Sequence, residues 1–191
     1  MVDDPKLEDL KLEEKTVDSQ TVFQGRFLTV LRDRVINYDG KEYAREYISH
    51  PGAALIIPLT KTGHVIMERQ FRYSVKKVFL EFPAGKTDKG EDSLDTAMRE
   101  LKEETGLSAT KWTFLTKIHP VIGYSNEWID IFLAEDLTLG SAQLEHGEKL
   151  HVVHLTPQEL MAKVRAGEVS DVKTQIACFW LEKILNKDWV P

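Results

Sequence analysis

The stretch GKTDKGEDSLDTAMRELKEETGL, residues 85–107, carries one helix with its start and stop written into it. Asp92 or Ser93 offers a side-chain oxygen to the first unpaired N–H groups. Gly106 stands where a left-handed residue closes a helix. At about 3.6 residues per turn, Glu100, Glu103 and Glu104 share one face, and Leu94, Ala97, Met98 and Leu101 share the opposite, apolar one. Carboxylates stacked on one face repel each other, and a helix selected for stability alone would alternate them with lysines. Such a face is either solvated or a surface for a hard cation. Magnesium suits it, because that ion keeps several waters and binds through one or two carboxylates plus substrate phosphate. Arg99 can brace the cluster by pairing with a neighbouring carboxylate.

Upstream, Phe27 to Ile48 reads as two alternating runs around Asp39-Gly40, a hairpin signal. The short run Ala53–Leu59, a turn at Thr62-Gly63 and the run Val65–Met67 predict two further strands, and Val78–Phe82 another. Downstream, strands are expected at Trp112–Ile118, Glu127–Ala134 and Leu150–Leu155, then helices over Pro157–Ala166 and Thr174–Leu185. Residues 1–18 are polar and charge-dense and are expected to form a frayed or edge-lying tail. Mixed strands with helices between and after them predict an α/β sheet covered on both faces, within a single domain spanning 1–191.

The chain of 191 residues has 25 basic and 31 acidic side chains, a net charge of −6, which argues against bulk binding of nucleic acid or an anionic membrane. A lone cysteine, Cys178, excludes an internal disulfide framework and reads as a buried structural thiol. No apolar run reaches transmembrane length, and MVDDPKLEDLKLEEK at the N-terminus lacks a signal-type apolar core, so a cytoplasmic protein is expected.

Residues 85–107 resemble the Nudix signature, Gly-x5-Glu-x7-Arg-Glu-aliphatic-x-Glu-Glu-x-Gly-aliphatic. Gly85, Glu91, Arg99, Glu100, Leu101, Glu103, Glu104, Gly106 and Leu107 fill it without a departure. The resemblance implies an α/β/α sandwich with a mixed central sheet, the glutamate helix on one face and the C-terminal helices on the other. It also implies Mg2+ (Mn2+ as a substitute) held by Glu100 and Glu104, with Glu103 and the Ala84 carbonyl as further ligands. Glu91 and Arg99 would support the loop on the helix.

Outside that box the chain is similar to the ADP-ribose pyrophosphatase branch of nucleoside diphosphate sugar hydrolases. Gln70-Phe71-Arg72-Tyr73 resembles a strand end whose arginine contacts phosphate, so Arg72 is the expected clamp. Arg45, ahead of His50-Pro51-Gly52-Ala53, would approach the nucleobase, and Glu81 would recognise base or ribose. Pro120–Glu127 resembles the branch's substrate loop, with Tyr124 and Glu127 as candidate contacts. Ile122 stands where that loop usually has a proline before Gly123. Tyr124 or Trp128 could stack on a base, although an aromatic here is at least as often core.

A loop before a late strand supplies the catalytic glutamate in this branch; the matching segment here is Leu144-Glu145-His146-Gly147-Glu148, which makes Glu145 and Glu148 the candidates for handling the attacking water. The hairpin region 22–49 resembles strands used for dimerisation, with Arg45 reaching toward a partner's site. The expected reaction is hydrolysis of ADP-ribose, GDP-mannose or an ADP-hexose. A nucleoside triphosphate or dinucleoside polyphosphate sanitising hydrolase is the alternative within the family, and a non-catalytic nucleotide-sugar sensor the alternative outside catalysis. The first would not need the Arg72 and Tyr124–Glu127 features, and the intact glutamates count against the second.

Overall fold

The apolar run Ala53–Pro58 is buried at all six positions, as a strand covered on both faces must be. In this computed structural model, which describes residues 5–142, 144 and 149–190, the chain clusters into two compact units. One runs to His50 and includes Val121–Glu127; the other comprises Pro51–Pro120 and the residues from Trp128 onward.

The first unit holds a short helix, α1 (Pro5–Leu10), and the strands β1 (Lys15–Gln24), β2 (Thr29–Ile36) and β3 (Glu42–Ser49). They form an antiparallel sheet in the order β1-β2-β3. The hairpin at Asp39-Gly40 is present, its turn closed by Asn37 N–H to the Lys41 carbonyl at 3.1 Å. Strand structure begins at Lys15, inside the expected tail, and β1 occupies the sheet edge. The segment 121–127 lies along the end of β3: Ile48 N–H donates to the Tyr124 carbonyl at 2.8 Å, and His50 N–H to Asn126 Oδ1 at 2.8 Å.

In the second unit, β4 (Ala53–Pro58) pairs in parallel with β9 (Ile129–Leu139) and antiparallel with β7 (Ala84–Lys86). β8 (Leu107–Ile118) completes a mixed sheet ordered β7-β4-β9-β8. β5 (Val65–Arg72) lies between β10 (Leu150–Leu155) and β6 (Lys77–Glu81) in a second, antiparallel sheet.

The alternation within β4 decides the layering. Ala54 and Ile56 pack with Ala97 and Leu101 of α2 (Ser93–Thr105). Leu55 and Ile57 pack with Leu160 of α3 (Pro157–Arg165) and Ala177, Cys178 and Leu181 of α4 (Val172–Leu185). Each fully buried aliphatic side chain contributes about 1.5–3 kcal/mol. This is the α/β/α sandwich the sequence implies. Two residues depart from it: Leu94 and Met98, expected on the covered face of α2, are exposed. Among the described residues no helix is long and apolar enough to cross a membrane.

Candidate active site

The box helix α2 starts at Asp92, whose carboxylate accepts Asp95 N–H at 2.9 Å, and stops at Gly106, which has a φ of 73°. Those two ends fix the register that presents the glutamates to β7. Glu104 is buried and accepts the Ala84 N–H at 3.0 Å. Glu100 lies so close to Gly85 that a Cβ there would stand 1.8 Å from its Oε1. The glycine that opens the box is thus required by close approach of a carboxylate to the backbone.

Arg99 ties the acidic residues together. Its Nε and Nη2 each donate to Glu91 at 3.0 Å, while Nη1 donates to Glu100 at 2.7 Å and to Glu103 at 3.0 Å. Nη2 also donates to the Lys86 carbonyl at 3.0 Å, fastening helix to loop. Glu91 further accepts Asp88 N–H at 3.1 Å and the Thr96 hydroxyl at 2.9 Å. The Arg99 hydrogen bonds hold the Glu91 carboxyl down at about 2, against a smaller upward push from burial. Arg99 is correspondingly raised, first by its bond to Glu91.

Among the described residues no three His, Cys, Asp or Glu side chains form a ready-made metal cage. The donor set still fits a hard cation: two glutamates are pressed against the Ala84–Gly85 backbone, and a third, Glu103, is one helical turn from Arg99. Magnesium needs only one or two of these carboxylates, taking its other ligands from water and phosphate.

Arg72 and Glu81 form a second cluster on the β5–β6 pair. Arg72 Nε and Nη2 each reach a Glu81 carboxylate oxygen at 2.8 Å, a bidentate pair. Glu81 also accepts a hydrogen bond from Lys173 of α4. Lys173 in turn donates to Asp171 at 2.9 Å, and Asp171 caps α4 through Thr174 N–H at 3.0 Å. Burial pushes the Glu81 carboxyl up, but the bond to Arg72 and the charges of Lys173 and Arg72 outweigh it and hold it below the usual range. Arg72 is raised, chiefly by its bond to Glu81. Glu81 is three residues from Ala84, so at most about 11 Å of chain separates the two clusters.

The remaining substrate candidates lie in the first unit. Arg45 pairs with Glu14 and donates to the Ala44 carbonyl at 3.1 Å. Tyr124 is exposed, and the Glu127 carboxylate is 3.8 Å from His50 Nε2. Trp128 belongs to the other unit, where its indole packs on Gly52 and takes Lys117 over its ring at 5.5 Å. That is a structural use rather than a free stacking surface. Glu145, His146 and Glu148 fall outside the described residues. Sequence reasoning missed Lys173; the only local signal was the Asp171-x-x-Thr174 helix start, which says nothing of the strand it meets.

A glutamate helix on one face of a mixed sheet, braced by one arginine and pressed on a glycine, defines a protein class. The chain belongs to the Nudix family: residues 49–174 match the NUDIX domain, and residues 14–48 match the nucleoside diphosphate sugar hydrolase N-terminal domain. It is 36% identical over 173 residues to an ADP-ribose pyrophosphatase of Bacillus subtilis (strain 168), covering 90% of this chain and 94% of that one. It is 34% identical over 172 residues to a methanol dehydrogenase activator of Bacillus methanolicus, covering 89% and 93%. A crystal structure of an ADP compounds hydrolase superposes with a TM-score of 0.82 at 25% identity, covering 92% of this chain and 96% of that one.

Proposed function

We propose that this chain hydrolyses the pyrophosphate bond of a nucleoside diphosphate sugar, with ADP-ribose the favoured substrate and AMP and ribose 5-phosphate the products. The observation that carries the reading is the pair of clusters on one short stretch of chain. Glu104 and Glu100 sit on Ala84-Gly85, and Arg72 is held by Glu81 three residues earlier. An ADP-ribose pyrophosphatase and a methanol dehydrogenase activator are 36% and 34% identical to this chain, so percentage alone does not select an activity, and the reading rests on the residue geometry.

Glu100, Glu103, Glu104 and the Ala84 carbonyl would hold Mg2+ or Mn2+. When bound, the ion would neutralise the pyrophosphate and make the attacking water more acidic. Arg72 clamps a phosphate of the bridge, its planar fork matching two oxygens. Glu91 and Arg99 keep the loop and helix in register. Glu145 or Glu148 is assigned to accept the water's proton as oxygen bonds to phosphorus and the bridging P–O bond breaks. Arg45, Tyr124 and Glu127 are assigned to base and sugar recognition on their motif resemblance, whereas Glu81, its side chain 2% exposed and both its oxygens engaged, serves by orienting Arg72.

Initial rates with ADP-ribose, ADP- and GDP-hexoses, ATP and dGTP in magnesium test this directly, with phosphate monoester products measured. The expected result is a nucleotide sugar favoured at least about tenfold in kcat/KM, which corresponds to about 1.4 kcal/mol of transition-state binding. Equal or better use of a triphosphate moves the protein to the sanitising reading, and binding without turnover to a sensor.

A further inference from the structure

The fork of Arg72 that would grip phosphate is already occupied. Its Nε and Nη2 donate to the two oxygens of Glu81 at 2.8 Å each. The same edge matches a phosphate bidentately, so gripping the substrate with it means letting go of the carboxylate. The Glu81 side chain is 2% exposed, and removing the partner of a buried charge is strongly unfavourable unless another remains.

Another does remain. Lys173 donates to Glu81 Oε2, the oxygen that Arg72 Nη2 also contacts. The two cations differ in burial: the Arg72 side chain is 41% exposed, that of Lys173 only 14%. The exposed one is placed to turn to a dissolved phosphate; the buried one is placed to stay. Lys173 is also fastened from behind. Asp171 takes its ammonium at 2.9 Å and the Thr174 hydroxyl at 2.6 Å, and that hydroxyl accepts the Phe82 N–H at 3.3 Å. The start of α4 is thereby pinned to the residue that follows Glu81. The cluster carries no excess of cations: Asp171 shares Lys173, and the fully buried Glu68, opposite Glu81 on β5, adds to the negative field on Arg72. It is the position of Lys173 on Glu81 Oε2, not surplus charge, that keeps the carboxylate partnered.

We propose that Lys173 is a positioning residue that holds the buried Glu81 carboxylate, so that Arg72 can leave it and clamp a phosphate of a nucleoside diphosphate substrate. The role of Arg72 rests on the function proposed above. Methylene diphosphonate, an uncleavable pyrophosphate mimic, therefore serves as a probe that does not depend on turnover.

The experiment compares full-length wild type, Lys173→Met, Lys173→Gln, Lys173→Arg, Glu81→Gln and the Lys173→Met/Glu81→Gln double variant. Each is measured for binding of methylene diphosphonate with magnesium and for kcat and KM with ADP-ribose. Lys173→Met should raise the Kd of the mimic and the KM about tenfold and leave kcat within about threefold, as expected when binding common to ground and transition states is lost. Lys173→Arg should restore both constants to within about threefold of wild type, and Lys173→Gln, uncharged but still a donor, should follow methionine. With Glu81→Gln already present, Lys173→Met should change the Kd less than about twofold, because the carboxylate it guards is gone. Equal effects of Lys173→Met in both backgrounds would overturn the proposal, as would an unchanged Kd, which would mean that Arg72 grips phosphate without leaving Glu81. If ADP-ribose and the other nucleotide sugars are not hydrolysed by wild type, the function reading fails, and the binding cycle still decides the role of Lys173.

Discussion

Replacing Gly85 by alanine tests the core of the site with one methyl group. The new Cβ would stand 1.8 Å from Glu100 Oε1, 1.9 Å from its Cδ and 2.4 Å from Oε2, where ordinary contact begins at 3.4 Å. The carboxylate must therefore move by roughly 1.5 Å, the gap between its Cδ distance and that contact limit. A misplacement of about 1 Å costs on the order of 100-fold in rate, so kcat should fall by at least that factor, about 2.7 kcal/mol. Gly85 lies outside the left-handed region, so alanine strains no backbone and the effect comes from the contact alone. The moving group is the far end of a flexible side chain, which limits the overpacking cost to about 1–2 kcal/mol. Melting should drop by about 2–8 °C for a chain of this length. Gly63 supplies the control: its φ is +79° and nothing lies within 4 Å of a Cβ, so Gly63→Ala strains the β4–β5 turn without touching the glutamates. It should lose about 1–2 kcal/mol of stability and keep its turnover. The assay is AMP release from ADP-ribose in magnesium, alongside thermal melts. Wild-type kcat in Gly85→Ala, or an equal loss in Gly63→Ala, would refute the reasoning.

Three further outcomes follow from the same geometry. Glu104→Gln should lower kcat on the order of 1000-fold yet melt within about 2–4 °C of wild type. The amide oxygen can still accept the Ala84 N–H, so the buried position stays satisfied; a collapse of the melting temperature would mean the carboxylate is structural. The Glu91 carboxyl is depressed from 4.5 to about 2, so its stabilising effect is present above pH 4.5 and disappears as pH falls toward 2. Melting temperature should fall more steeply over that window in wild type than in Glu91→Gln, and parallel curves would contradict the Arg99 pairing. On β1 and just after it, Phe23 is 55% and Phe27 73% exposed, with Val17, Val22 and Leu28 also exposed, an apolar surface suited to a second copy of this chain. Sedimentation at micromolar concentration should give twice the 21.9 kDa chain mass, reduced to the monomer by Phe23→Glu/Phe27→Glu; a wild-type monomer would remove the dimer.

The parts of the fold legible in the sequence are those fixed by short-range periodicity. The spacing of Glu100, Glu103 and Glu104 is a property of the helix itself, and the Asp92 and Gly106 ends set its register without help from elsewhere. Ala53–Pro58 reads as a strand covered on both sides because every residue is apolar. Periodicity gives a helix an apolar face, but not the breadth of the surface that will cover it. Ala97 and Leu101 meet Ala54 and Ile56, whereas Leu94 and Met98 remain exposed. The same helical pattern leaves Glu104 on a face that is either solvated or a cation surface and gives no sign that it is buried, because its backbone partner, Ala84, belongs to β7, a strand only three residues long.

What the sequence hides is the pairing of charges carried by elements far apart in the chain. Arg72 and Glu81 are nine positions apart on adjacent strands, and their motif resemblance drew attention to both, but as two separate substrate contacts. Antiparallel pairing of β5 with β6 sets Glu81 opposite Glu68, four residues along β5 from Arg72, and the long guanidinium side chain closes the remaining gap to the carboxylate. Lys173 is 92 positions from Glu81. Its neighbours Asp171 and Thr174 mark a helix start, which fixes where α4 begins and leaves open which strand it lands on. Only the landing turns one lysine among the chain's 25 basic residues into the second partner of a buried carboxylate. That partner makes the release of Arg72 energetically feasible, because a lone Arg72–Glu81 pair in the same place would resist opening with the full penalty of an uncompensated buried charge.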